Sequence, residues 1–214
     1  MRLWNLQSAS SVECYQSHSF PVWDVSFSPV DYYFATASND RTARLWSTEH
    51  SNPLRLFVGH TADVECVQFH PNCNYVLTGS LDRTARLWDV HTGDCVRVFA
   101  GHFGAVSTVA VSPDGTTIAT AGTDRLINIW DLASGKKVKT LQGHTDAVHA
   151  LDFSMGGEML ASGSDDCTTR LWQPLGDSAT KPLRTLHTKC TPVLHVRFTQ
   201  RNLLLVGGSR RGIQ

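Results

Sequence analysis

Tryptophan recurs in this chain at a fixed interval of 42 residues, and a repeat of this kind restricts the possible folds more than any other feature of the sequence. The regularly spaced tryptophans are Trp4, Trp46, Trp88, Trp130 and Trp172. A histidine precedes each of the last four by 28 residues, at His18, His60, His102 and His144, and His187 comes one residue after the next step. An aspartate precedes the same four tryptophans by six residues, at Asp40, Asp82, Asp124 and Asp166. The chain therefore consists of successive copies of one structural unit.

Each copy contains short apolar runs that alternate with polar residues, a pattern typical of β-strands. The first run of each copy opens with valine, at Val22–Phe27, Val64–Phe69, Val106–Val111, Val148–Phe153 and Val193–Phe198. Turn residues separate this run from a second one, and a tight turn with the aspartate leads to a third run that ends at the tryptophan. A fourth run precedes the next histidine. No segment carries helical periodicity over two turns, so we predict an all-β fold of four-stranded antiparallel units.

Charge and composition exclude several classes of protein. The 214 residues carry 19 lysines and arginines against 19 aspartates and glutamates, so no general attraction to nucleic acid or anionic membranes is expected. The longest aliphatic stretch, Leu203–Val206, is far shorter than the roughly 20 residues of a membrane helix, and the first residues lack the apolar core of a signal peptide. The six cysteines form no C-x-x-C pair, so we expect reduced, small apolar core residues and neither a disulfide framework nor a metal site.

The residue pairs that open and close each unit resemble those of WD repeats. Gly59-His60 and Trp88-Asp89 bound one complete unit, and Gly101-His102 and Trp130-Asp131 bound the next. The resemblance implies a β-propeller with four-stranded blades and covers essentially the whole chain. We expect a single propeller domain with repeats at about residues 1–16, 17–58, 59–100, 101–142, 143–186 and 187–214.

The resemblance also implies a role for the repeated polar residues. In WD repeats the buried tryptophan hydrogen-bonds a serine, the serine a histidine and the histidine the turn aspartate, which satisfies an indole N–H whose unpaired burial costs about 1–3 kcal/mol. The implied sets are His18, Ser38, Asp40 and Trp46, then His60, Ser80, Asp82 and Trp88, and then His144, Ser164, Asp166 and Trp172. The third repeat keeps His102, Asp124 and Trp130 but has Gly122 in place of the serine, so we expect water or Thr123 to replace the hydroxyl.

Serine, histidine and aspartate together also suggest a hydrolase, because such a trio can activate a nucleophile. Near-identical copies on several blades favour a packing role instead, since catalysis needs one pocket with one oxyanion site. No G-x-S-x-G turn, phosphate loop or H-E-x-x-H helix is present. We therefore predict no catalytic residues, no cofactor and no small-molecule substrate.

Binding is expected on the faces of the propeller. In WD-repeat proteins two positions per blade surround the mouth of the channel, one after the first valine and one before the turn aspartate. Here those positions hold Trp23, Glu65, Ser107, His149 and Leu194, and Asn39, Leu81, Thr123 and Asp165. Trp23 is the one tryptophan outside the 42-residue interval, and large aromatic side chains on a face are favoured binding anchors. The alternative is that Trp23 packs against a loop of the neighbouring blade.

Several longer strings narrow the resemblance further. A resemblance to the TFIID subunit 5 family of WD-repeat TBP-associated factors, including its SAGA-type paralogue, is carried by Ser19–Asp24, Tyr32–Phe34 with Asp40–His50, Pro53–Cys66 and Phe69–Asn72. This resemblance implies a nuclear, non-enzymatic scaffold for preinitiation complex assembly whose partners are histone-fold TBP-associated subunits. A WD-repeat adaptor that binds a short peptide at the propeller face is the alternative function.

The same family carries a helical dimerising region and about seven blades. Two strands before His18, four in each of four repeats and two after His187 make only five blades' worth here. We therefore expect a fragment or a truncated gene model that forms an incomplete ring, an open arc with two unpaired sheet edges. The alternative is a closed five-bladed ring whose last blade joins C-terminal strands to N-terminal ones.

Overall fold

A computed structural model describes residues 1–30, 32–175 and 180–209 of the chain. These residues form twenty β-strands and no helix, so the predicted all-β class is confirmed for the part of the chain described. With no helix in that part, none is long and apolar enough to cross a membrane.

The strands fall into six antiparallel sheets. In chain order they are β1 Arg2–Asn5, β2 Ser10–Cys14, β3 Val22–Phe27, β4 Tyr33–Ser38, β5 Thr42–Ser47, β6 His50–Val58, β7 Val64–Phe69, β8 Tyr75–Ser80, β9 Thr84–Asp89, β10 Cys95–Ala100, β11 Val106–Val111, β12 Thr117–Gly122, β13 Ile127–Asp131, β14 Lys137–Leu141, β15 Val148–Phe153, β16 Leu160–Ser164, β17 Thr168–Trp172, β18 Arg184–His187, β19 Val193–Phe198 and β20 Leu204–Gly208. The strands of β3–β6, β7–β10, β11–β14 and β15–β18 form four-stranded sheets in sequential order, and β1–β2 and β19–β20 form two-stranded sheets.

The four-stranded sheets repeat one register. The second and third strands place an apolar residue opposite the tryptophan, as Val76 lies opposite Trp88 and Ile118 opposite Trp130. The first strands β7, β11, β15 and β19 each pack against the first two strands of the preceding sheet, so the first strands lie innermost. Blades arranged in this way around their innermost strands form a β-propeller.

Apolar side chains fill the interface between successive blades. Val67 and Phe69 of β7 pack against Ala35 and Ala37 of β4, with Leu45 of β5 behind them. The small alanine side chains let the two sheets approach closely. Each large apolar side chain buried in this way contributes roughly 1.5–3 kcal/mol, which makes these interfaces the main source of stability.

Polar side chains on the innermost strands also connect one blade to the next. The Asp24 carboxylate accepts a hydrogen bond from the Val67 N–H at 2.9 Å, and the Gln68 side-chain oxygen accepts one from the Val111 N–H at 3.1 Å. Asp152 accepts from the Phe198 N–H at 2.5 Å. These bonds satisfy backbone groups on the side of each inner strand that faces the preceding blade, and so fix the stacking of the blades.

The two ends of the arc remain incomplete blades. A closed five-bladed ring would place β20 beside β1 in one sheet, but the two strands lie in separate two-stranded sheets. The arrangement is therefore an incomplete propeller, as predicted. Trp4 differs from the other four regularly spaced tryptophans, because it is 53% exposed whereas they are at most 3% exposed.

The cysteines do not share one role. All six are free thiols, but only Cys66 is buried, between β7 and the next blade, where burial raises the pKa of its thiol well above the ordinary value. Cys95 and Cys190 are exposed and the other three are half-buried. The prediction that all of them fill the core is therefore wrong for five of the six.

Candidate protein-binding face

Each complete blade contains a buried chain of four hydrogen-bonded side chains. In the second complete blade the Trp88 indole N–H donates to the Thr78 hydroxyl at 2.8 Å, and Thr78 lies 2.7 Å from His60 Nε2. His60 Nδ1 lies 2.8 Å from an Asp82 carboxylate oxygen. The same contacts occur in the other blades with His18, Thr36, Asp40 and Trp46, with His102, Thr120, Asp124 and Trp130, and with His144, Ser162, Asp166 and Trp172.

The sequence prediction places the hydroxyl of this hydrogen-bonded set on the wrong residue. Among the described residues, Ser38, Ser80 and Ser164 make no hydrogen bond to the histidine or the tryptophan. The hydroxyl comes instead from the residue two positions earlier, ten residues before the tryptophan. The third repeat consequently lacks nothing, because Thr120 supplies its hydroxyl and neither water nor Thr123 has to replace it.

The displaced serines stabilise the turn that follows. Ser80 donates to the Ala62 carbonyl at 3.2 Å and accepts from the Asp82 N–H at 3.1 Å, and Ser38 and Ser164 make equivalent contacts. Gly122 occupies this position in the third repeat because a Cβ there would lie 1.7 Å from the Ala105 carbonyl oxygen. The close approach of the two backbones thus explains Gly122, and the buried hydrogen-bonded side chains of the third repeat lack no member.

The direction of the hydrogen bonds defines the protonation state of the histidine. An indole N–H only donates, so the Thr78 oxygen accepts it and the Thr78 hydroxyl proton is available to His60 Nε2. His60 Nδ1–H then donates to Asp82, and the imidazole is neutral. Burial lowers the pKa of His60, and its hydrogen bond to the Asp82 carboxylate only partly opposes this. Burial acts to raise the pKa of Asp82, but hydrogen bonds from Thr84 and His60 outweigh it, so the carboxyl titrates below its ordinary range.

His187 does not belong to such a chain. It ends β18 and lies opposite Thr168, as Val58 lies opposite Thr42 in the first complete blade. Its side chain is exposed. In the other repeats the histidine lies four residues before the valine that opens the first strand. Before Val193 of β19 this position holds Lys189. His187, which is offset by one residue from the repeat, therefore occupies a different position in the fold.

The turn aspartates also shape the rim of the propeller face. Asp82 accepts hydrogen bonds from the Thr84 N–H at 3.0 Å, the Thr84 hydroxyl at 2.6 Å and the Thr61 N–H at 3.1 Å. The residue after the aspartate has a left-handed backbone, with φ of 68° at Arg83, and the other repeats have positive φ at Arg41, Arg125 and Cys167. This tight turn holds the residue before the aspartate at the surface, where a partner can reach it.

The predicted face residues are all at least partly exposed, and several of them are joined by hydrogen bonds. His149 Nε2 lies 2.9 Å from an Asp165 carboxylate oxygen, and the Asn39 amide donates to Asp63 of the next blade. Ser107 donates to the Val148 carbonyl at 2.6 Å. Trp23 is 55% exposed, so about half of its surface is open to solvent. The remaining members, Glu65, Leu81, Thr123 and Leu194, are half-buried or exposed.

Electrostatic effects connect face residues from different blades. Burial raises the pKa of the Glu65 carboxyl, the neighbouring Asp63 carboxylate raises it further, and His149 opposes the shift. Glu65 lies on β7 and His149 on β15, in blades that are not adjacent in sequence. The face therefore combines carboxylates with an exposed indole and apolar side chains.

Sequence comparison matches four segments of the chain to the WD domain, G-beta repeat family, at residues 9–47, 51–89, 93–131 and 135–173. The matched segments make up most of the chain, and each ends one residue after a regularly spaced tryptophan, in agreement with the blades. The chain belongs to the WD40 repeat family. No curated protein matches the chain closely enough to add a nearer relative.

Membership of the WD40 family indicates a protein-interaction scaffold with other proteins as partners. The buried hydrogen-bonded chains agree with a structural role for the histidines and aspartates, since each hydroxyl lies beneath a tryptophan and is fully buried. Within residues 1–30, 32–175 and 180–209, no group of three or more His, Cys, Asp or Glu side chains could hold a metal ion.

Sequence reasoning missed two kinds of functional residue in this WD40 chain. One is the set of buried hydroxyls at Thr36, Thr78, Thr120 and Ser162, which recur every 42 residues like the tryptophans and were detectable by that recurrence. The other is Asp63, which lies on the face because Asn39 of the preceding blade reaches it. No periodic signal marks Asp63, since the equivalent positions hold Pro21, Ala105, Ala147 and Pro192.

Proposed function

We propose that this chain is a non-enzymatic scaffold subunit of the RNA polymerase II transcription machinery, in TFIID or a SAGA-type coactivator. The support for the host complex is the resemblance of Ser19–Asp24, Asp40–His50 and Pro53–Cys66 to the TFIID subunit 5 family. The support for a scaffold is the arc of WD40 blades, together with the exposed indole of Trp23. Nuclear localisation and histone-fold TBP-associated partners belong to the same proposal.

A pull-down from nuclear extract tests the host complex. We expect the tagged full chain to enrich histone-fold TBP-associated subunits over a Val67→Asp control, whose blade interface is broken. Microscopy of the same tagged chain should place it in the nucleus. Enrichment equal to that of the control, or a chain retained in the cytoplasm, would overturn the proposal.

Peptide capture at the propeller face is the second candidate function. Trp23 supports it, because exposed tryptophan side chains are frequent binding hot spots. A scaffold that assembles through other surfaces would tolerate Trp23→Ala, whereas a peptide adaptor would lose its ligand. Pull-downs with Trp23→Ala and with the exposed control Phe103→Ala therefore separate the two functions.

Direct, specific binding to nucleic acid is not part of the proposal. The formal net charge of the chain is zero, so no long-range attraction to phosphate supports it. Enzyme activity is not proposed either, because the hydroxyl, histidine and aspartate recur together in four blades and the hydroxyls are inaccessible to a substrate. A turnover activity that disappears in Thr78→Val while the fold persists would contradict this.

A further inference from the structure

The residue that follows the first strand of each blade lies at a groove between neighbouring blades. In the second complete blade this residue is His70, whose Nδ1 accepts the Asn72 N–H at 3.1 Å. Its Nε2–H therefore donates to the Gly115 carbonyl of the third complete blade, at 2.9 Å. The imidazole also packs edge-on against Tyr75, with the ring centroids 5.9 Å apart. His70 thus fills the groove between the second and third complete blades.

The groove between the first and second complete blades has no such side chain. Ser28 stands 42 residues before His70, and Cys73 stands 42 residues before Gly115. The Ser28 hydroxyl accepts the Val30 N–H at 3.2 Å within its own turn and does not reach the second blade. An open cavity of about 440 Å³ lies in this groove. Its size falls within the range of ligand-binding pockets.

Apolar side chains from both blades form the wall of this cavity. Leu45 and Phe69 are buried, and Leu54 and Val90 are half-buried against the core between the two blades. Tyr33, which stands where the next blade has Tyr75, also lines the cavity and is 42% exposed. An apolar side chain that entered the cavity would remove this surface from water, which is favourable.

Arg55 lies at the same cavity with its guanidinium held in place. Nε donates to the His91 carbonyl of the second complete blade at 2.8 Å, and Nη1 donates to the Leu54 carbonyl at 2.7 Å. Among the described residues, no group accepts from Nη2 and no carboxylate forms an ion pair with Arg55. A fixed guanidinium without an acidic partner is suited to bind a carboxylate.

The groove between the third and fourth complete blades has the opposite charge. It contains a cavity of about 370 Å³, lined by Asp114 and Glu158 where the first groove has Val30 and Asn74. Thr117 takes the place of Tyr33, and the described lining of this second cavity contains no arginine or lysine. The combination of an apolar wall and an arginine is therefore a property of the first groove and not of the repeat.

We propose that the cavity between the first and second complete blades binds an acidic–apolar segment of a partner protein. A phenylalanine or leucine of the segment packs against Tyr33, Leu54 and Val90, and an adjacent aspartate or glutamate accepts hydrogen bonds from Arg55. The apolar contact supplies most of the affinity, and the charged contact supplies orientation and specificity. The proposal rests on the scaffold role but not on the host complex, so the nuclear pull-down and the peptide measurements below can fail independently.

Three capped tripeptides probe the site in the full chain. Acetyl-Glu-Phe-Glu-amide combines both features, whereas the Gln-Phe-Gln peptide lacks the carboxylates and the Glu-Ala-Glu peptide lacks the apolar side chain. In NMR titrations we expect Glu-Phe-Glu to give saturable shifts of the Leu54 and Val90 methyl groups and of Arg55 Nε–H. The Gln-Phe-Gln peptide should bind about fivefold more weakly, because a partly exposed ion pair is lost. The Glu-Ala-Glu peptide should bind at least about tenfold more weakly, because the buried apolar side chain is lost.

Substitution of Arg55 tests the charged contact from the side of the protein. Arg55→Gln should bind Glu-Phe-Glu about fivefold more weakly and leave the affinity for Gln-Phe-Gln unchanged. Arg97→Gln is the matched control, because Arg97 makes the equivalent bonds to the Leu132 and Ala133 carbonyls at the next groove. This control should leave the affinity for both peptides unchanged.

Filling the groove tests the cavity itself. Ser28→His combined with Cys73→Gly reproduces the pair His70 and Gly115, and should abolish binding of Glu-Phe-Glu. Ser112→His, which faces Gly157 at the oppositely charged groove, should leave binding unchanged. Thermal melts check that these variants fold, and Arg55→Gln decides the question if the double variant does not. Shifts outside the groove, equal affinity for the three peptides, or undiminished binding by Arg55→Gln or by the folded double variant would each overturn the proposal.

Discussion

Trp88 and Trp4 occupy the same place in the repeat, but only Trp88 has the surroundings that the repeat implies. Trp88 lies under a complete blade, with Phe57 beside it and Thr78 accepting its N–H. Trp4 lies in a two-stranded sheet without the strand that would supply its acceptor. The difference shows that the tryptophan is buried by its neighbouring strands, and that the local sequence around it is not sufficient.

The largest difference in stability between the two regions is expected when a charge is placed on equivalent inner-strand residues. Val67→Asp should destabilise the fold by about 4 kcal/mol or more, because a carboxylate without a partner would be buried between two blades. Val25→Asp should cost about 1 kcal/mol or less, since solvent reaches that face. Chemical denaturation of both variants measures the difference. Similar losses would mean that the β3 face is covered in solution.

The tryptophans themselves give the next largest effect. Trp88→Ala should cost about 3–5 kcal/mol, the usual range for a large buried aromatic side chain. Trp4→Ala should cost about 1 kcal/mol or less, because half of its surface is already in water. Urea unfolding followed by circular dichroism provides the values, and equal losses at the two sites would contradict the open arc.

Removal of a buried hydroxyl tests the corrected hydrogen-bonded chain. Thr78→Val should cost about 1–3 kcal/mol, because it removes the hydroxyl that contacts both Trp88 and His60. Thr61→Val, at an exposed threonine, serves as the matched control. The Trp88 indole N–H should exchange faster in Thr78→Val and keep its protection in Ser80→Ala. Loss of protection in Ser80→Ala alone would restore the assignment made from sequence.

Acid should weaken the complete blades gradually. Burial lowers the pKa of His18, His60 and His144 in the folded chain, so these residues bind protons more readily when the chain is unfolded. Their contribution is complete above the ordinary histidine pKa of about 6.5 and decreases as the pH falls below it. The turn aspartates also titrate below their ordinary range when folded, so they add a further loss below about pH 4.

Unfolding free energies at pH 7, 6 and 5 measure this effect. The β1–β2 sheet contains no histidine–aspartate pair, so its exchange rates, corrected for intrinsic pH dependence, should change less than those of β8 and β9. A stability that is constant or rises from pH 7 to pH 5 would contradict the neutral, buried histidines.

The sequence was most informative for the positions of the strands, which depend on the repeat interval and on the alternation of apolar residues. The five predicted first strands coincide with β3, β7, β11, β15 and β19, because valine openings and alternating apolar residues mark them clearly. The hydroxyl was misplaced by two residues for a physical reason. Residues two apart on a strand point to the same side, so alternation cannot distinguish Thr78 from Ser80. Only the distance to the tryptophan decides between them.

Exposure at the ends of the arc could not be predicted from local pattern. Val25 and Val67 lie at the same position of runs with the same apolar pattern, and their burial differs because a preceding hairpin is present only for Val67. His187 illustrates the same limit, since strand pairing and not spacing determines which residue precedes β19. The face residues follow from the resemblance, but their hydrogen bonds depend on contacts between blades such as Asn39 with Asp63.

Hydrogen exchange of the six indole N–H groups, resolved by NMR in the unmodified chain, tests the blade arrangement most directly. We predict slow exchange for Trp46, Trp88, Trp130 and Trp172, whose N–H groups are buried against a hydroxyl, and fast exchange for Trp4 and Trp23. Fast exchange at any of the first four would contradict the buried hydrogen-bonded chains. Slow exchange at Trp4 in the isolated chain would show that the arc closes on itself.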